Sequence, residues 1–165
     1  MLGSLKEKLG FGKKKGETLG APIEGEAIAL SQVSDPTFGE EILGKGVAIV
    51  PSVGKVVAPI DGTIDMVFDT KHAISMTSES GIEILIHVGL DTVSLKGEPF
   101  TAHVAAGDKV KAGDLLLEFD IEAIKAAGLE TIVPMVICNT PDYSEIQASA
   151  GKTVKVMDEV LTVTK

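Results

Sequence analysis

No apolar run in this sequence survives long before Gly, Pro or Asp interrupts it. The runs are Ile23–Leu30, Val47–Val50, Val56–Ile60, Thr63–Phe68, His72–Thr77 and Ile82–Val88, followed by Pro99–Val104, Leu115–Phe119, Ile132–Asn139, Thr153–Met157 and Val160–Thr164. Each is too short for an ordinary amphipathic helix and the right length for a strand. Aromatics make up 4% of the chain and Trp is absent, so Ile, Val, Leu and Ala must fill the interior, and the β-branched ones favour strands. The expectation is an all-β fold, an antiparallel β-sandwich or barrel-sandwich hybrid, with two short helices. Asp35-Pro36 gives one helix an N-cap and a first-turn proline, with Gly44 closing the segment. Asp120 caps the other, Ile121–Ala127, which ends at Gly128.

Residues 1–17 read differently. Leu2, Leu5 and Leu9 recur at helical spacing among Lys6 and Lys8, and Lys13 to Lys15 follow. The expectation for them is a flexible tail, with an amphipathic helix on anionic membrane as the sharper alternative. Residues 18–165 form a single domain. The net charge is −9, which excludes nucleic acid as a partner and suits a basic protein. All fifteen basic residues are Lys, so a phosphate-handling site here would rely on backbone N–H groups, histidines or a partner's Arg. The lone Cys138 forms no internal disulfide and reads as a small buried thiol in an apolar run. Nothing resembles a transmembrane run or a signal peptide, which places the chain in the cytoplasm.

The most informative stretch runs from His72 to His87. Two strand-like runs flank Ser78-Glu79-Ser80-Gly81, a hairpin signal. If Thr77 pairs with Ile82, then His72 faces His87, and Ala73, Ser75, Ile82, Ile84 and Ile86 share the core face. Directly opposed residues have Cβ atoms about 4.5–5.5 Å apart, so the imidazoles would touch, whereas a register shift of one would separate them. Such a pair could be two solvated histidines. It could be a zinc site, although His72 and His87 alone are too few ligands and a carboxylate, Asp91 or a partner's, would have to complete it. Or it could be a nucleophile and its helper, because neutral imidazole accepts a phosphoryl group near neutral pH and a second imidazole can bond the phosphoryl oxygens.

Three segments carry a family likeness: Val56-Val-Ala-Pro-Ile-Asp-Gly-Thr-Ile64, Phe68-Asp-Thr-Lys-His-Ala-Ile-Ser75, and Gly81-Ile-Glu-Ile-Leu-Ile-His-Val-Gly-Leu-Asp-Thr-Val93. Together they resemble the glucose-family enzyme IIA of the bacterial phosphoenolpyruvate-dependent sugar phosphotransferase system. The likeness extends from about Ala21 to the C-terminus. It implies that His87 accepts a phosphoryl group from the carrier HPr and donates it to a cysteine of a transporter IIB domain. It also implies that His72 and Thr70 support that group and that the Gly89 carbonyl holds His87 Nδ1. Asp35 and Asp91 would ring the histidines, and Phe38 and Ile42 would supply apolar docking surface or else be core. No cofactor is implied beyond a zinc shared with a partner at His72 and His87. Regulatory targets form a further class of partner, and the chain reads as a free-standing IIA protein. The rival is a lipoyl-type carrier modified on Lys71, disfavoured because the domain is long for that role and Lys71 falls outside the expected hairpin tip.

Overall fold

The computed structural model describes residues 16–165, and the expected membrane-surface tail lies almost wholly outside them. In chain order the elements are β1 (Gly16–Gly20), β2 (Gly25–Ala29), α1 (Pro36–Gly39), β3 (Lys45–Pro51), β4 (Lys55–Val57), β5 (Gly62–Val67), β6 (Ala73–Ser78) and β7 (Glu83–His87). Then come β8 (Phe100–Ala102), β9 (Lys109–Val110), β10 (Leu115–Phe119), α2 (Ile121–Ala126), β11 (Val133–Ile137), β12 (Glu145–Ala148), β13 (Lys152–Val154) and β14 (Glu159–Thr164). β1 takes in Gly16 and Glu17. No helix among the described residues is long and apolar enough to cross a membrane.

An eight-stranded sheet, ordered β13-β2-β3-β11-β7-β6-β5-β9, packs against two three-stranded sheets, β1-β14-β12 and β4-β10-β8. Every pairing is antiparallel and each sheet is open, so the architecture is a sandwich. The main core lies between the sheets and draws on Leu19, Ile49, Ile84, Leu116, Met135 and Leu161. A smaller cluster of Leu30, Val33, Phe38, Ala48, Leu90 and Val136 covers the opposite face of the large sheet. β3 and β11 therefore send alternate residues to two apolar layers, which is why every residue of β11 is buried. Cys138, one residue beyond β11, is exposed rather than buried, because it falls past the end of both layers.

The β6–β7 hairpin departs from the expected register by one residue. Ala73 lies opposite His87 and Ile74 opposite Ile86. The cause is the loop: Ser78 N donates to Ile82 O (2.9 Å) and Gly81 N to Ser78 O (3.0 Å), so only Glu79, Ser80 and Gly81 turn the chain. Gly81 supplies the positive φ (98°) that such a three-residue loop needs. Ile74 and Met76 therefore join Ile84 and Ile86 in the core, while Ala73 and Ser75 share the face of His87.

Candidate functional site

His87 is the last residue of β7, and its Nδ1 lies 2.8 Å from the carbonyl oxygen of Gly89. A carbonyl can only accept, so Nδ1 carries the proton and Nε2 keeps the lone pair. Gly89 makes this bond by folding back at φ 74°. His72 meets His87 in spite of the register. It precedes the first ladder residue of β6, in a turn where Lys71 has φ 58°, so strand alternation does not set its direction. Its carbonyl accepts from Val88 N (2.7 Å), which docks the turn beside the end of β7. Ala73, directly opposite His87, offers only a methyl group and leaves room for the second ring. The two imidazole centroids lie 4.8 Å apart at 81°. Thr70 Oγ1 lies 2.6 Å from His72 Nδ1.

Each imidazole also touches a phenyl ring: Phe38 lies 5.0 Å from His87, and Phe68 lies 5.5 Å from His72. Burial, followed by the neighbouring His72, pushes the His87 pKa down to about 4, against opposing pulls from the Gly89 hydrogen bond, Asp35 and Asp91. Burial lowers His72 as well. Both rings are neutral at pH 7, which is the state a nitrogen nucleophile requires.

The residues expected at the site divide into two groups. His72, His87, Thr70 and Gly89 come together as two hydrogen-bonded pairs, Thr70–His72 and His87–Gly89, joined by the contact of the two imidazole rings. Asp35 Oδ1 caps α1 by accepting from Thr37 N (3.0 Å). Asp91 is exposed, adopts φ 61° and makes no side-chain cap. Asp35 and Asp91 line a cleft of about 380 Å³ with Ser34, Leu90, Leu129 and Glu130. Phe38 and Ile42 do not form one patch. α1 ends at Gly39, well short of Gly44, and Glu41 at φ 60° turns the chain away. Phe38 is 3% exposed and belongs to the smaller core, while Ile42 is 67% exposed.

Three supporting residues escaped the sequence reading. Thr92 is fully buried and its hydroxyl donates to Val88 O, bracing the turn after His87. Glu130 O accepts from Leu90 N (3.1 Å), and its carboxylate accepts from Ser34 Oγ (3.1 Å). Phe68 is the third, and its position four residues before His72 was the available signal. Among the described residues no group of three or more His, Cys, Asp or Glu side chains is placed to hold a metal. Lys71 lies outside the β6–β7 hairpin tip, as expected, but it is exposed in a hairpin turn of its own, the one joining β5 and β6 and closed by Phe68 N to Ala73 O (3.0 Å). His103 pairs with Glu118 at 2.9 Å on the surface, just past β8.

Residues 17–143 match the family model of the phosphoenolpyruvate-dependent sugar phosphotransferase system, EIIA 1. The glucose-specific EIIA component of Bacillus anthracis is 47% identical over 161 residues, covering 96% of this chain and 98% of that protein. The β-glucoside-specific EIIBCA component of Bacillus subtilis is 53% identical over 128 residues, 78% of this chain but 21% of that protein, so the chain corresponds to a small part of that larger relative. The solved structure of glucose permease IIA from Mycoplasma capricolum superposes with a TM-score of 0.83 at 36% identity, covering 90% of this chain and 96% of that one. With sequence, fold and model in agreement, the chain belongs to the EIIA 1 family of the phosphoenolpyruvate-dependent sugar phosphotransferase system.

Proposed function

We propose that this chain is a phosphocarrier whose His87 takes a phosphoryl group from phospho-HPr and hands it to a cysteine of a transporter IIB domain. The observation that carries this reading is the free Nε2 of a neutral His87, held by the Gly89 carbonyl beside a second neutral imidazole. The Nε2 lone pair attacks phosphorus as the donor's P–N bond breaks, and that electron pair returns to the donor imidazole. In the second transfer the cysteine thiolate forms an S–P bond as the Nε2–P bond breaks. Positioning and charge stabilisation dominate such transfers. If the Thr70 hydroxyl donates to His72 Nδ1, the His72 proton resides on Nε2, where it can bond a phosphoryl oxygen. The charge that Arg would otherwise meet is left to the partners, since this chain has only Lys.

The transfers use no cofactor. A zinc ion on His72 and His87 would need further ligands from a partner and would compete with the phosphoryl group for the same nitrogens. Phosphoenolpyruvate is a cytoplasmic metabolite, so the reading places the chain in the cytoplasm. The test is phosphotransfer from phospho-HPr followed by a panel of IIB domains. His87→Gln should take up no acid-labile phosphate, and His72→Gln should accept phosphate but donate it poorly. Label on the first variant, or normal donation by the second, would overturn these assignments.

A further inference from the structure

Four rings stand in succession at the site, Phe38, His87, His72 and Phe68, with centroids 5.0, 4.8 and 5.5 Å apart. Each imidazole has one nitrogen tied, His87 to the Gly89 carbonyl and His72 to the Thr70 hydroxyl. The ties differ in stiffness. Gly89 belongs to a braced turn whose N–H donates to Ile132 O (2.7 Å), and Phe38, beside His87, is core. Thr70 is a half-buried turn residue, and the His72 ring, 5% exposed, is held by the hydrogen bond to it and by the side chains packed on the ring. Apart from His87, the ring packed on His72 is that of Phe68. Its backbone closes the turn, through Phe68 N to Ala73 O (3.0 Å) and Lys71 N to Phe68 O (2.7 Å), and its ring meets the His72 ring edge-on at 75°.

We propose that Phe68 is a positioning residue for His72, keeping Nδ1 on Thr70 so that Nε2–H faces the phosphoryl group on His87. This rests on the phosphocarrier reading above. A half-buried phenyl beside the site could instead serve as docking surface for a partner, and the two roles have different signatures. A docking residue acts on KM. A positioning residue acts on kcat for donation, because His72 is engaged once the phosphoryl group is in place.

The test compares Phe68→Leu, which keeps apolar volume without the ring, with Phe68→Tyr, which keeps the ring. Donation from the phosphorylated protein to a IIB domain is measured with imidazole 15N shifts and thermal melts on the same samples. Phe68→Leu should lower kcat for donation roughly five- to tenfold, about the worth of one hydrogen bond, at unchanged KM. Its His72 15N shifts should move from a single tautomer toward the averaged values of a mobile ring, with little change in melting temperature. Phe68→Tyr should restore both. A rise in KM alone, or unchanged donation with unaltered His72 shifts, overturns the proposal. A wild-type protein that takes no phosphate from phospho-HPr refutes the phosphocarrier reading itself, and in that case the 15N comparison still reports whether Phe68 orders His72.

Discussion

In an unfolded chain the imidazole of His87 would titrate near 6.5, and in the fold it is held to about 4. Between those values the unfolded chain binds a proton that the folded one declines. His87 thus contributes stability that is fully present above about pH 6.5 and is lost as pH falls toward 4, at most about 3 kcal/mol. His72 acts in the same direction. Denaturation of wild type and His87→Gln at pH 7 and pH 4.5 should show the variant losing less stability over that interval. Parallel losses would mean that His87 is not desolvated as described. At this scale the family likeness was most informative: it named Thr70 and Gly89 beside His72 and His87, whereas spacing alone pointed to the two histidines through a register that the hairpin does not adopt. The burial of Phe38 was not legible, because it depends on Ala48 and Val136, which arrive from distant strands.

Every central strand was legible in the sequence, and so were the edge strands β4, β8 and β13. The strands unanticipated from the sequence are β1, β9 and β12, and each is the outer strand of its sheet. β12 reads Glu-Ile-Gln-Ala and β9 is two residues long, so neither shows an apolar alternation to find. The hairpin register failed for a related reason: Ser78 belongs to a strand, although its composition reads as loop. The turn after β7 yields an element-scale prediction. A Cβ on Gly89 would lie 2.5 Å from Thr92 Cγ2 and 2.7 Å from Glu130 O, at a φ of 74° that side chains disfavour. Gly89→Ala should therefore cost about 1–3 kcal/mol and displace the carbonyl that holds His87. A lowered melting temperature with slowed uptake of phosphate is the expected pair of readings. A variant that melts and labels like wild type would leave the turn without the assigned role.

For the molecule as a whole, the net charge of −9 is a field that a basic partner can sense at a distance. Asp91 is the cleaner probe of that field, because Asp35 is committed to capping α1 whereas the Asp91 carboxylate caps nothing. Asn is also at home in the left-handed region that Asp91 occupies. Asp91→Asn should slow association with HPr and flatten its salt dependence without altering the thermal melt, salt acting over a screening length of about 8–10 Å. A lost melt with an unchanged salt slope would make Asp91 a turn residue instead. The sandwich class was readable at this scale because many short apolar runs admit few other packings. The division into one large and two small sheets was not, since it depends on pairings between remote segments.

One such pairing joins Gly16 to Thr164, setting the first and last strands of the fold side by side. Paired residues in an antiparallel ladder are about 5 Å apart. The described fold therefore begins and ends at one point, and a short peptide between Gly16 and Thr164 would close it into a ring. To any longer protein the unit would behave as a bead on one stalk. It could be spliced in, or permuted to new ends at a surface turn, without a strand being rethreaded.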